Sequence, residues 1–363
     1  MGLEILIAAI KALIAIGMLL NLAGILGWVE RKGSALIQDR IGANRAAIFG
    51  FAWAGLVNTL LADPLKFLTK EDVIPRGVDR LLHTLAPCVN LFPVIVAFAA
   101  VPFGDTLRIG ERAINLQAVE LDVGVLFILA MTSMGVYGVV LGGWASNNRL
   151  SLLGGIRGSA QMISYELAMG LATVAVVMTF GSLDLQQIVR AQGHYIAGWI
   201  PGWGVFYQPV ACIVLLIAGI AESKRAPFDL PEGESEIVAG YFTEYSGIKY
   251  LMFFMTDFAE IALVSALLTT FFFGGWQVPY LAAHGFVWPW GGSWELPHLV
   301  VVLLQVGSYM IKVFVLCWFQ VLVRWTMPRL RYDQLMWFGW KVMLPVGLAN
   351  LVVTAVVFLL LQG

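Results

Sequence analysis

Apolar residues run along the 363-residue chain in blocks of roughly twenty, the length an α-helix needs to cross a bilayer core. Eight such blocks predict spans at about 5–28, 85–103, 123–142, 159–180, 207–221, 248–273, 299–323 and 335–361. The first is too long for a signal-peptide core and lacks a small-residue cleavage pattern, so it is expected to stay. A further apolar stretch, 48–68, contains Asp63 and Lys66 and runs into a mixed-charge cluster. It is predicted as an interfacial amphipathic helix, because a ninth span would break the charge sidedness described below. The expected fold class is an all-α polytopic membrane protein of about eight transmembrane helices, one membrane domain over 1–363. No internal repeat is visible, which argues against the inverted-repeat plan of many transporters.

Composition agrees with that pattern. Sixty per cent of residues are hydrophobic and 12% charged, with mean hydropathy +0.83, whereas soluble domains carry about a quarter charged residues. The net charge of −1 says little, but the placement of the basic residues says more. The segments around 31–80, 149–157, 224–249 and 324–331 hold sixteen of them, and the opposite side holds Arg108, Arg112 and Arg190. The positive-inside rule then puts the first group in the cytoplasm and both termini outside. The three cysteines and four histidines are scattered without metal-ligand or cluster spacing. No phosphate-cradling glycine loop follows a strand pattern. The expectation is a chain with no redox cofactor, nucleotide or metal of its own.

Candidate chemistry lies in the ionisable residues inside or beside the spans, which are costly there and so point to function. Glu166 sits in the fourth span, Glu222 closes the fifth, and Lys312 is mid-span in the seventh. Asp257 and Glu260, three apart in the sixth, share a helical face. The plainer alternative is a set of structural ion pairs, for example Lys312 with one carboxylate. Between the fifth and sixth spans, Glu222, Asp229, Glu232, Glu234, Glu236 and Glu244 fall within twenty-three residues. Two prolines and a glycine there prevent one smooth helix. Two carboxylates about 7 Å apart at an effective dielectric near 20 repel by roughly 2 kcal/mol, so such neighbours titrate as a coupled set. That behaviour suits a proton path better than a fixed binding site.

Four motifs carry a family resemblance: Glu30-Arg31-Lys32 with Gln38, Arg40, Gly42 and Asn44; Arg157 through Gln161 to Tyr165-Glu166; the run from Pro227-Phe228-Asp229 to Glu236 with Glu244-Tyr245-Ser246; and Pro328-Arg329 with the run from Arg331 to Met336. In these the chain resembles the H-subunit family of NADH–quinone oxidoreductase, respiratory complex I, whose mitochondrial counterpart is subunit 1. The resemblance implies a bacterial inner-membrane subunit that couples quinone reduction to proton translocation. It implies ubiquinone or menaquinone as substrate in a shared chamber. The implied partners are peripheral-arm quinone-site and iron–sulfur subunits, small membrane-arm subunits and lipid, with no nucleic acid. Carried over, Glu30, Arg31, Arg40, Arg45, Asp63 and Phe228 would line the quinone entrance and chamber. Glu166, Glu222, Asp229, Glu232, Glu234, Glu236 and Asp257 would form an acidic funnel, with Arg225 helping to balance it.

The sequence departs from the pattern at Ala43, where the family has proline, and at Trp325, where it has a small residue. Thr256-Asp257-Phe258 stands where it has Ala or Gly, then Glu-Tyr, and Glu260 is an extra acid. Either Asp257 alone or the Asp257–Glu260 pair then takes the family's membrane-glutamate role. Two other readings share features with the chain: the equivalent subunit of a membrane-bound hydrogenase or formate hydrogenlyase, and a stand-alone cation or solute transporter.

Overall fold

A computed structural model describes residues 2–42, 55–110, 112–196, 198–282, 284–288 and 291–362. In chain order the main helices are α1 (Gly2–Ile37), α2 (Asp63–Thr69), α3 (Arg80–Ala99), α4 (Gly124–Ala145), α5 (Arg149–Phe180) and α6 (Leu185–Ala191). They continue with α7 (Pro209–Glu222), α8 (Gly247–Phe272), α9 (His298–Thr326), α10 (Tyr332–Phe338) and α11 (Leu344–Gln362). Among the described residues, seven helical runs are long and apolar enough to cross a membrane: α1, α3, α4, α5, α8, α9 and the continuous run from α10 into α11.

The expected fifth span differs. Helix α7 has 14 residues, about 21 Å at 1.5 Å per residue, short of a hydrocarbon core of about 30 Å. Two other helices start or end well beyond the apolar blocks. The Asn148 side chain accepts from the Leu150 amide and so starts α5 at Arg149, about ten residues early. Helix α1 runs on to Ile37, because no backbone of positive φ interrupts it before Asp39 (φ 52°) and Gly42 (φ 76°). The stretch predicted as interfacial is described only from Gly55 onward. It is a helical turn, a π segment (Asn58–Ala62) and α2, packed beside α1 and α8 and too short to span.

Helix α8 is the axis of the bundle. Helices α1, α3, α7 and α9 pack on it, and every residue from Thr256 to Phe272 is buried. A helix enclosed all round can be apolar on every face, so its few polar residues need partners inside the protein. Helix α4 packs between α3 and α5, and α11 lies on α5 and α7. The α3–α4 contact is close because Gly138 has no side chain: a Cβ there would lie 2.6 Å from the backbone N and Cα of Asn90.

At the end of the bundle opposite the acidic segment, the loops interlock. An antiparallel hairpin pairs Thr106–Ile109 with Arg112–Asn115, and a three-stranded sheet joins Leu281–Ala282, Gly285–Trp288 and Gly292–Glu295. Asp105 pairs with Arg190 at 2.8 Å, and the Tyr195 and Tyr280 rings stack 5.4 Å apart. Among the described residues Lys312 does not pair with a carboxylate, contrary to the example raised from sequence. Its ammonium donates to the carbonyls of Phe273, Gly275 and Gln277 at 2.7–3.0 Å and lies 4.8 Å from the Trp203 ring. The end of α8 leaves carbonyls without helical partners, and this half-buried cation satisfies that terminus and ties α9 to it.

The Gly138–Asn90 contact carries a prediction. Gly138→Ala forces α3 and α4 apart, and overpacking of this kind costs about 1–3 kcal/mol. The expected result is a lower unfolding temperature and less assembled protein in membranes, read by thermal-shift assay and native gel, while Gly170→Ala, where a Cβ meets nothing within 4 Å, leaves both unchanged.

Candidate functional site

The segment between α7 and α8 does not run along the surface. After α7 ends at Glu222, the next two residues turn inward, and Lys224 adopts a positive φ of 55°. Its ammonium meets Asp257 and Glu260 on α8, at 3.2 and 3.0 Å. Asp257 lies ten residues into α8, so Lys224 sits about 15 Å along that helix from its start. Irregular backbone at such depth needs its polar groups satisfied by protein. The Gln161 side-chain amide provides this, donating to the carbonyls of Ala221 (2.6 Å) and Phe228 (2.7 Å). The segment then doubles back through Gly240, whose φ is 59° and where a Cβ would collide with the Pro231 carbonyl. Two short helical pieces, Glu234–Ile237 and Gly240–Phe242, are all the regular structure here among the described residues, as the prolines and glycine predict.

Three carboxyls meet around Lys224, and a fourth joins them through Asp257. Asp257 and Glu260 come from α8, Glu222 from the end of α7, and Glu232, from the connecting segment, lies beside Asp257. Lys224 is completely buried, and Asp257, Glu260 and Glu222 are nearly so. Burial pushes the Lys224 ammonium towards its neutral form, but Glu260 and Asp257 outweigh that and hold it above the ordinary lysine value. Burial raises the Glu232 carboxyl well above its usual range, and neighbouring Asp257 raises it further against the pull of Arg225. Tyr241 lies near these acids. Burial raises its phenol, which stays protonated, and its hydroxyl makes no hydrogen bond among the described residues.

Around this core the other predicted residues divide. Glu166 on α5 receives the Ser133 hydroxyl of α4, lies close enough to Glu222 to feel its charge, and borders a crevice with Ile163, Leu167, Leu344 and Leu348. Asp229 faces Arg329, Arg324 and Arg225. Glu236 points to the surface and pairs with Arg157 at 2.7 Å, and Glu244 accepts from Asn148 at 2.6 Å. The backbone of Glu234 is helical; its side chain, like all of Arg45 and Ala43, lies outside the described residues. Glu30 near the end of α1 binds two guanidiniums, Arg225 at 2.8 Å and Arg324. Arg31 pairs with Asp63 at 3.0 Å and fixes α2 against α1. Arg40 is exposed and bonded to Gln38 and Ser34. Phe228 is a core residue, buried and 5.2 Å from the Tyr165 ring.

One sequence expectation changes here and one gains a partner. Arg225 lies close enough to Asp229 and Glu232 to draw both carboxyls down, and it also pairs with Glu30, with its guanidinium 4.1 Å from the Phe258 ring. Lys224 and Lys249, which the charge count places at the cytoplasmic surface, are both buried; Lys249 pairs with Asp72 at 2.9 Å and approaches His83 at 3.4 Å. Sequence reasoning misses Lys224, Arg324, Tyr241 and Ser133 as members of the site. The available signal is a Lys-Arg dipeptide one residue past an apolar helix that is too short to span.

Comparison with known proteins agrees with the sequence motifs. Residues 10–355 match the family described as NADH dehydrogenase. The chain belongs to this family. It is 45% identical over 353 residues to the second of the NADH-quinone oxidoreductase H subunits of Geobacter sulfurreducens, covering 97% of each chain. It is 44% identical over 359 residues to the first of those of Geobacter metallireducens, covering 99% of this chain and 98% of that one. With the corresponding NADH-quinone oxidoreductase H subunit of Bdellovibrio bacteriovorus it shares 40% identity over 377 residues, 98% and 96% of the two chains. The likeness runs the full length of all three relatives, and the protein is a multi-pass membrane subunit of the NADH–quinone oxidoreductase family. In this family member, the long third motif is the segment that carries Glu232 to the side of Asp257.

Asp229 provides a pH test. Burial raises its carboxyl from 3.8 to about 6, against Arg329, Arg324 and Arg225. The folded state therefore binds the proton more tightly than the unfolded chain, and the stability this gives is present below about 3.8 and lost as pH rises through about 6. Asp229→Asn is expected to match wild type at the acid end and become more stable than it as pH rises to about 6, with a constant difference above. Thermal unfolding of the assembled protein across that range checks this; a difference that does not vary with pH would sink it.

Proposed function

We propose that this chain is the subunit of a bacterial NADH–quinone oxidoreductase that forms the quinone entrance and chamber floor and carries protons between that chamber and the membrane arm. The observation that supports this best is the convergence of Glu222, Asp257 and Glu260 around one buried lysine, with Glu232 beside Asp257 and Glu166 beside Glu222. Reduction of a quinone brings two electrons into the chamber, and their charge is neutralised by two protons. Carboxyls poised between charged and neutral forms respond to that charge by taking up or releasing protons.

In this reading Glu30, Arg31, Arg40, Arg45, Asp63 and Phe228 belong to the entrance and chamber side. Glu30 bound by Arg225 and Arg324 is the joint between the entrance and the acidic core. Asp229, Glu234 and Glu236 form the outer rim of the path, and Glu232, Asp257, Glu222 and Glu166 its inner part. The quinone, ubiquinone or menaquinone, is the substrate; electrons arrive from an iron–sulfur cluster of a peripheral partner, and small membrane-arm subunits continue the proton path. The whole chain acts as one membrane domain in the bacterial inner membrane, with both termini periplasmic, because sixteen basic residues fall on the side of the acidic segment and three on the other.

The test replaces acids without altering the bundle. Glu166→Gln, and separately Glu222→Gln with Glu232→Gln, are expected to reduce quinone-linked NADH oxidation and proton pumping by about tenfold or more, as for a proton-transfer step losing its carrier. Electron transfer to an artificial acceptor upstream of quinone stays normal. Unchanged turnover and proton gradient in fully assembled variant complexes would remove this function from the acids.

A further inference from the structure

Away from the acidic core, the hairpin and the start of α1 enclose a crevice of about 710 Å³, within the range of small-molecule sites. Glu4, Ile7, Ala8 and Lys11 line one side, and their spacing of three and four residues sets them on a single face of α1. Arg112, Ile114 and Asn115 of the second hairpin strand, with Glu120 beyond it, line the other. The Lys11 ammonium donates to Glu120 Oε1 at 3.0 Å, and the Asn115 amide donates to Glu120 Oε2 at 2.7 Å. Side chains on a helix lean towards its N-terminus, so Lys11 reaches back from apolar sequence towards the end of α1.

The surroundings narrow the kind of ligand. Ile5, Leu6, Ile10, Leu13 and Ile14 of α1 are exposed around the crevice, and on a membrane-spanning helix such residues meet hydrocarbon. Lipid therefore reaches polar protein surface here. Among the described residues, the charges lining the crevice are Glu4 and Glu120 against Lys11 and Arg112, which sum to zero. An anionic headgroup would bring net negative charge against two carboxylates. A zwitterionic headgroup finds an opposite charge for each of its own. An ionised carboxylate accepts several hydrogen bonds, so Glu120 can take one from a ligand and keep Lys11 and Asn115. A primary ammonium has N–H groups to donate there, and a quaternary one has none.

We propose that this crevice binds the headgroup of a phosphatidylethanolamine-type phospholipid, whose acyl chains lie on the exposed apolar residues of α1. Arg112 and Lys11 hold the phosphate, and Glu120 and Glu4 accept from the ammonium. The lipid ties the start of α1 to the hairpin. Towards its other end the same helix is held through Glu30 by Arg225 and Arg324, so both ends of α1 are fixed by charge. The site is independent of the proton-relay reading and stands or falls separately from it.

The test uses the assembled NADH–quinone oxidoreductase in lipid nanodiscs doped with phospholipids that carry a photoreactive group on an acyl chain near the glycerol. Probes with ethanolamine, choline and glycerol headgroups are compared, and labelled peptides are read by mass spectrometry. In wild type the ethanolamine probe is expected to label residues 4–14 and 112–120 about tenfold more than either other probe, the discrimination that one charge-assisted hydrogen bond supplies. Glu120→Gln leaves the crevice net positive, so labelling by the ethanolamine probe falls and the anionic glycerol probe overtakes it. Arg112→Gln lowers labelling by the ethanolamine probe about tenfold, and Arg112→Lys retains most of it. If Glu120→Gln fails to assemble, Glu4→Gln carries the same comparison, because it removes the same charge from the same crevice. Equal labelling by the three probes in wild type overturns the proposal and marks ordinary boundary lipid. Absence of labelling at both segments also overturns it and points to a neighbouring subunit in the crevice. Labelling by the ethanolamine probe that is unchanged in both Arg112→Gln and the glutamate variant overturns it as well.

Discussion

The buried ammonium of Lys224, set between Asp257 and Glu260, is the constraint on which the inner half of this molecule depends. Removing a lysine and two carboxylates from water costs several kcal/mol for each ion, and mutual attraction offsets that only when the geometry is close. Here both contacts are near 3 Å, and meeting them requires the chain to leave α7 early. A full-length span at α7 would carry Lys224 to the surface. The 14-residue helix instead ends at the depth of Asp257, and the positive φ of Lys224 turns the backbone inward. Gln161 then takes up the carbonyls exposed by that turn. The short helix, the inward loop and the polar bridge from α5 are therefore one structural solution, with the ion cluster at its centre.

Much of the bundle is legible from the apolar blocks, because a helix in lipid must be about twenty residues long and apolar wherever it meets the bilayer. What periodicity does not show is which helix is enclosed. The apolar block of α8 looks like its neighbours in sequence, yet it is the one surrounded by other helices, and this decides that Asp257 and Glu260 face protein. The acidic segment is legible as chemistry through its composition and its family motif. Its path is not, since Pro, Gly and acid content say only that a regular helix stops. Lys224 shows why. A lysine just past an apolar helix usually marks the water side, and the same rule that orients the chain counts this buried residue as a surface charge. Arg225, its neighbour, reads in sequence as a partner of the acids; what sequence leaves out is its ion pair with Glu30, 195 positions away.

The two ends of the bundle solve different problems. At the end carrying the hairpins, contacts are neutral or locally closed: Tyr195 on Tyr280, Asp105 with Arg190, and Lys312 held by three carbonyls. That lysine stabilises a helix terminus without joining a titrating group. At the other end the charges are shared. Glu30 takes two guanidiniums, Lys224 two carboxylates, and Asp229 faces three arginines. Sharing of this kind is a poor way to gain stability and a good way to make neighbouring charges depend on one another, which is what a relay needs.

The charge balance of that end explains why protons must reside there at all. Glu30, Glu222, Asp229, Glu232, Asp257 and Glu260 face Lys224, Arg225, Arg324 and Arg329. Among these described residues, six carboxyls against four cations leave two negative charges uncompensated if every acid ionises. In a buried region such an excess is relieved by binding protons rather than tolerated. Glu232 and Glu222 make no ion pair among the described residues and are the acids best placed to hold them, one beside Asp257 and the other near Lys224. Glu232 opens towards Asp229 and the arginines at the polar surface, while Glu222 opens towards Glu166 on α5. In the proposed relay, a change of charge near Glu232 is passed to Asp257 and Glu260, on to Glu222 and so to Glu166 through the field of the cluster, without any helix having to move.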